Sequence, residues 1–179
     1  MRIAYFVVRI TEYAIRNTPV LHIYPSLPSE RADVERVTRA AGNFAGDELT
    51  VPLELFDGYV RDAKASGYNF LSAKKNDRVV GYACYGPTPL TESTFDLYWI
   101  VAEANEHGRG VGRALFDRVI DEIKRRNGKM LVIWTSSTAH YERAQKFYER
   151  MGCKLEARLQ NYYREGDDLG VYVYRIHDQ

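Results

Sequence analysis

The chain has 179 residues, 25 Lys and Arg against 24 Asp and Glu, a formal net charge of +1 and a hydrophobic fraction of 45%. That length suits one domain with a buried core, and the balanced charge argues against a nucleic-acid binder, which needs a basic face. Two cysteines, Cys84 and Cys153, cannot build a disulfide framework, and no stretch reaches the ~20 apolar residues of a membrane span.

The apolar opening, Met1 to Ile10, is short, interrupted by Arg9, and followed by no small-residue cleavage site. A cytoplasmic protein in a reducing compartment, with no membrane partner, is expected. Residues 1–19 read as an N-terminal extension, either an extra strand ending at Asn17-Thr18-Pro19 or a simple addition. Residues 20–179 read as a single domain.

In chain order, Leu21 to Tyr24 predicts a short strand closed by Pro25 and Pro28. Ser29 stands where an N-cap belongs, before a helix running to Ala41 and ended by Gly42. A second helix is expected over Val51 to Ala65, with Pro52 in its first turn and Gly67 beyond its end. Tyr68 to Ala73, Arg78 to Tyr85 and Thr94 to Ala102 are rich in aromatic and β-branched residues and predict three strands. The turn Lys75-Asn76-Asp77 makes the first two a hairpin.

Gly110 to Asn127 predicts a strong helix, because Val111, Leu115, Val119 and Ile123 recur every four residues. Lys124, Arg125 and Arg126 suit its C-terminal dipole. Met130 to Thr135 reads as a strand buried on both faces. A helix over Ala139 to Met151, capped by Gly152, and strands over Lys154 to Tyr162 and Val171 to Ile176 complete the chain. The fold class is mixed α/β on one central sheet.

The sharpest local signal is His107-Gly108-Arg109-Gly110-Val111-Gly112-Arg113, between a strand and the long helix. Alternate glycines let the backbone bend tightly and approach a ligand. The first-turn N–H groups lack intrahelical acceptors and lie at the positive end of the dipole, so they can hold a phosphate or pyrophosphate. Arg109 and Arg113 can add charge-assisted bonds. The alternative is a loop that only requires positive φ. Neither the dinucleotide fingerprint nor the P-loop fits the spacing.

His107 to Gly112 resembles the acyl-CoA-binding motif of the GNAT (GCN5-related) N-acetyltransferases, [QR]-x-x-G-x-[GA], with His107 in place of glutamine or arginine. Ala144 to Cys153 is similar to that family's A-x-x-F-Y-x-x-x-G-F block, with Cys153 replacing the aromatic. Arg78 to Ala83 and Asp96 to Val101 resemble its hairpin and its central strand. Asn161 to Asp168 is similar to the tail of one bacterial and archaeal subgroup. The resemblance runs from about Leu21 to Ile176.

It implies the GNAT acyl-CoA N-acyltransferase fold, with helices on both faces of a mixed sheet, and transfer of acetyl from acetyl-CoA to a primary amine. The acceptor is a small molecule, an amino acid or a peptide. It further implies that two parallel strands splay to admit the pantetheine arm. Ile100 and Ala102 then supply backbone groups, and a bulge near Ile100-Val101 aims an N–H at the thioester oxygen. By the same resemblance the pyrophosphate lies on the amides of Gly108 to Gly112.

Tyr148 matches the family's tyrosine that donates to the departing sulfur; a core tyrosine would occupy the same place. Asp96, read as sharing a strand face with Tyr98 and Ile100, either accepts the amine proton or pairs with a cation. Glu103 and Glu106 read as solvated loop residues. Tyr141 stands where many relatives carry a cofactor-contacting asparagine, a role open to Tyr141 itself, Ser136 or Ser137. Trp134 reads as a wall of the acceptor or cofactor cleft.

Acceptor choice is expected from Ser29 to Ala65 and Asn161 to Gly170. The histidines and cysteines show no metal spacing, so no metal cofactor is expected. A non-catalytic acyl-CoA sensor of the same fold is the competing function, and the many tyrosines could serve an acceptor cleft or a homodimer interface.

Overall fold

The computed structural model describes residues 20–176; the expected N-terminal extension lies outside them. Seven strands, β1 (Leu21–Pro25), β2 (Asn69–Lys75), β3 (Arg78–Pro87), β4 (Thr94–Ala102), β5 (Met130–Ser136), β6 (Lys154–Arg164) and β7 (Asp167–Arg175), form one sheet in the order β1-β2-β3-β4-β5-β7-β6. β4 and β5 run parallel; the other neighbouring pairs are antiparallel.

Helices α1 (Arg31–Ala40) and α2 (Val51–Ser66) cover one face. There Val34, Val37 and Phe56 bury against Phe70, Tyr82 and Cys84. Helices α3 (Val111–Arg125) and α4 (Glu142–Arg150) cover the other. The four-residue repeat predicted for α3 is the buried stripe that meets Leu71, Leu97, Leu131 and Ile133. This is the mixed-sheet architecture expected from the sequence.

Several local readings change. Ser29 lies inside a 3-10 turn, Pro28–Glu30, and Glu30 closes that turn by accepting the Leu27 N–H at 2.9 Å. Asp62 interrupts α2 with non-helical backbone, and its carboxylate accepts the N–H groups of Lys64 and Ala65. The helix expected from Ala139 opens as a 3-10 turn and becomes α-helical at Glu142. β7 begins at Asp167, four residues before the predicted start, because the hairpin reverses at Glu165-Gly166. β5 is not buried on both faces: Trp134 is 55% exposed.

Glu103 and Glu106 are not solvated. Both are buried, Glu103 between the guanidinium groups of Arg36 and Arg78 and Glu106 3.0 Å from Lys75. Burying a carboxylate is costly without such partners, and these pairs pin the start of the glycine loop to β2, β3 and α1. Cys84 and Cys153 are buried and free, as core residues would be.

Candidate active site

β4 and β5 pair from Thr94↔Met130 to Leu97↔Ile133, and no pairing continues beyond that point. The strands therefore part after Leu97. The bulge that accompanies the parting sits at Tyr98, since Cys84 faces Trp99 while Tyr85 faces Leu97. The expected position near Ile100-Val101 is corrected by two residues.

An inserted residue reverses the alternation of side chains. Phe95 and Leu97 face α3 before the bulge; Ile100 and Ala102 do so after it, while Trp99 and Val101 turn toward α1. Ile100 therefore does not share a face with Asp96, as the plain two-residue period had suggested.

The Glu103 N–H donates to Val80 O on β3. By strand alternation the backbone groups of Val101 face β3, and those of Ile100 and Ala102 face the gap. The carbonyl of Ala102 is already engaged, 3.0 Å from His107 Nε2. Burial and the nearby Arg143 lower the pKa of that imidazole from its ordinary 6.5, so the neutral ring is favoured.

A cavity of about 530 Å³ runs from this gap to the glycine loop. Ile100, Val101, Ala102, His107, Gly108, Gly110, Gly112, Arg113, Tyr141 and Tyr148 all line it; Arg109 and Val111 do not. The Val111 side chain is core. Gly110 caps α3 in the left-handed region, at φ 87°, and no side chain caps the helix. Its first N–H groups are thus left for an anion.

Gly81 brings that helix end close. A Cβ there would lie 2.8 Å from Val101 O and 2.9 Å from Val111 Cγ1. Arg143 and Arg150 of α4 also line the cavity and were missed in the sequence. Their seven-residue spacing, two helical turns with Phe147 between, was the available signal.

A second cavity, of about 570 Å³, lies on the other side of the gap. It shares Asn43, Phe44, Ile100, Tyr141, Ala144 and Tyr148 with the first. Its remaining wall includes Glu48, Tyr98, Trp99, Trp134, Ser136, Tyr163, Arg164 and Asp167. The segments expected to shape the acceptor thus meet here.

The mixed charges of the first helices cancel locally. Arg31 pairs with Asp57, Arg39 with Glu35 and Arg36 with Asp33 and Glu103. Of the charged residues between Ser29 and Ala65, Glu48 alone lines either cavity.

Tyr148 is 8% exposed and lines both cavities, and its hydroxyl bonds to no described residue. Burial raises its pKa, so the phenol stays protonated. Tyr141 donates to Glu48 across the cavity mouth, and His140 Nε2 lies 2.6 Å from Asn43 O. These two contacts strap the α1–α2 loop to the start of α4.

Ser136 donates to Asp167 at 2.5 Å, and Ser137 Oγ accepts the Asp168 N–H. Of the two hydroxyls suggested for the missing asparagine, that of Ser136 already donates its proton to Asp167. Asp96 accepts from Thr88 at 2.6 Å, makes no ion pair with a described residue and lines neither cavity. Among the described residues no group of three or more His, Cys, Asp or Glu is placed to hold a metal ion. No described helix is long and apolar enough to cross a membrane.

No curated protein matches the chain. A crystal structure assigned to the GNAT acetyltransferases, from Desulfovibrio desulfuricans, is 38% identical with a TM-score of 0.85, covering 88% of this chain and 100% of that one. YncA from Salmonella typhimurium, solved with its cofactor acetyl-CoA, is 18% identical with a TM-score of 0.71, covering 89% and 95%. The ribosomal-protein-S18-alanine N-acetyltransferase from Escherichia coli is 18% identical with a TM-score of 0.70, covering 89% and 96%. The latter two carry the fold alone. Residues 35–153 match the sequence profile of the Acetyltransferase (GNAT) family, and with the parted strands and the glycine loop at the head of α3, this chain belongs to that family.

Proposed function

We propose that the protein transfers acetyl from acetyl-CoA to the primary amine of a small molecule, amino acid or peptide, by direct attack on the thioester. The observation that carries this reading is Tyr148, a buried phenol whose hydroxyl bonds to no described residue, at the junction of the two cavities. The pyrophosphate of CoA would rest on the first amides of α3, with Arg113, Arg143 and Arg150 adding positive charge. The pantetheine arm would take the place of the strand missing beside Ile100 and Ala102. Two buried free thiols fit a reducing compartment such as the cytoplasm.

The amine nitrogen forms a bond to the acetyl carbon, and negative charge develops on the thioester oxygen. The Ile100 N–H, facing the gap, is the donor available to it. When the carbon–sulfur bond breaks, Tyr148 gives its proton to the departing thiolate. The nitrogen loses a proton to Glu48, the acceptor-side carboxylate beside Tyr141, and solvent returns that proton to Tyr148. Asp96 lines neither cavity and lies on the paired part of β4, away from the reacting amine.

Calorimetric titration with acetyl-CoA, repeated with Gly110→Trp, tests the reading. Micromolar binding that the substitution abolishes supports it, and CoA thiol release with an amine panel then reads the transfer. Binding without release for any amine would favour an acyl-CoA sensor instead. No binding by the wild type would overturn both.

A further inference from the structure

We infer that the acceptor is a primary amine carrying a single positive charge on an aromatic or apolar body, and that the cavity disfavours polycationic amines. The inference rests on the acetyl-transfer reading above and names the substrate class of the same site.

Charge is the first observation. Among the described residues, Glu48 and Asp167 bring two negative charges to the acceptor cavity and Arg164 brings one positive, which leaves one net negative charge. Asp167 is buried and already satisfied by the Ser136 hydroxyl and by Arg164 at 3.4 Å. Glu48 is therefore the carboxylate left to meet an ammonium. One ammonium is matched there; a second or third would find no partner and would lose hydration without return.

The wall is the second observation. Trp99 and Trp134 stand on the two parted strands, with Phe44 edge-on to Trp99 at 5.1 Å and Tyr162 edge-on to Trp134 at 6.2 Å. Trp134 is left 55% exposed where β5 has lost its neighbour. Indole faces bind apolar and aromatic groups and favour a nearby cation.

The third observation is Tyr148, more than nine-tenths buried, lining both cavities, its hydroxyl bonded to no described residue. A ligand that fills the cavity brings its amine to the gap, with Glu48 on the acceptor side and Tyr148 on the cofactor side.

The chain holds two tryptophans, and both line this cavity. Intrinsic tryptophan fluorescence of the full chain therefore reads its occupancy. The experiment titrates 2-phenylethylamine, propylamine and spermidine at neutral pH, with and without saturating CoA. We expect 2-phenylethylamine to bind at least about tenfold more tightly than either of the others. Trp134→Ala should erase its advantage over propylamine, with Trp99 still reporting. Glu48→Gln, which can still accept from Tyr141, should weaken both monoamines.

Spermidine binding as tightly as 2-phenylethylamine overturns the inference. So does a preference that survives Trp134→Ala, or an absence of any fluorescence response with or without CoA. Failure of acetyl-CoA to bind in calorimetry would instead remove the transfer reading, and the amine titration without CoA would still decide the cavity's preference.

Discussion

His107 Nε2 lies 3.0 Å from the carbonyl oxygen of Ala102, and the two residues bracket the turn from β4 into the glycine loop. The imidazole stands where the family motif carries glutamine or arginine. Here it occupies one of the backbone acceptors that would otherwise face the gap between β4 and β5. It serves as a brace for the loop, its Nε2–H donating to that carbonyl.

Its lowered pKa has a stability consequence. Above the ordinary value of 6.5 the ring is neutral whether the chain is folded or not. As pH falls below 6.5 the unfolded chain takes the proton first, so the folded state loses stability until the folded pKa is passed. Thermal unfolding between about pH 7 and about pH 5 should therefore show a larger drop in Tm for wild type than for His107→Gln. Parallel curves would show that the imidazole titrates freely.

Tyr148→Phe separates chemistry from packing. Tyr148 is buried beside Phe147 and Tyr172, and its ring packs equally well as phenylalanine. Its hydroxyl has no partner among the described residues, so the substitution should cost less than about 1 kcal/mol of stability. Turnover should fall about 100-fold with the KM for acetyl-CoA nearly unchanged. A stability loss with turnover intact would make it a core tyrosine alone.

Gly81→Ala should act at a distance on cofactor binding. The added Cβ meets the Val101 carbonyl and the Val111 side chain below 3.0 Å, and backbone cannot yield cheaply. We expect a loss of about 1–3 kcal/mol in stability. Weaker acetyl-CoA binding should accompany it, because the head of α3 must move. Denaturant unfolding and calorimetry read the two effects, and unaltered cofactor affinity would show that the helix end floats free of the strand.

For Asp96→Asn we expect turnover to change by less than about threefold, since the carboxylate neither lines either cavity nor pairs with a described cation. Steady-state kinetics with a fixed amine is the measurement. A loss of about 100-fold would return the role of base to Asp96.

Hydrophobic period and punctuation carried most of the fold. The four-residue stripe of α3 and the glycine loop before it lie where their spacing implies, because both depend on neighbours a few residues away. Tyr148 was singled out by the block that resembles the GNAT family and the glycines by their turn before the helix, and the fold brings Tyr148, Gly108, Gly110 and Gly112 to the cavities. The bulge at Tyr98 was not: it exists only in the register between β3 and β4, and that one residue moved Ile100 to the face opposite Asp96.

Burial of Glu103 and Glu106 was likewise hidden, since their cations arrive from elements 25 to 67 residues away. So was the reach of Glu48, which depends on Tyr141 strapping its loop across the gap. The sequence by itself determined the elements, the order of their motifs and the anion-ready head of α3, because these are local properties of the chain. Only the tertiary structure decided which carboxylate enters the second cavity and how its charges balance. Pairing and desolvation are set by groups that meet in space, and their spacing along the chain does not encode that meeting.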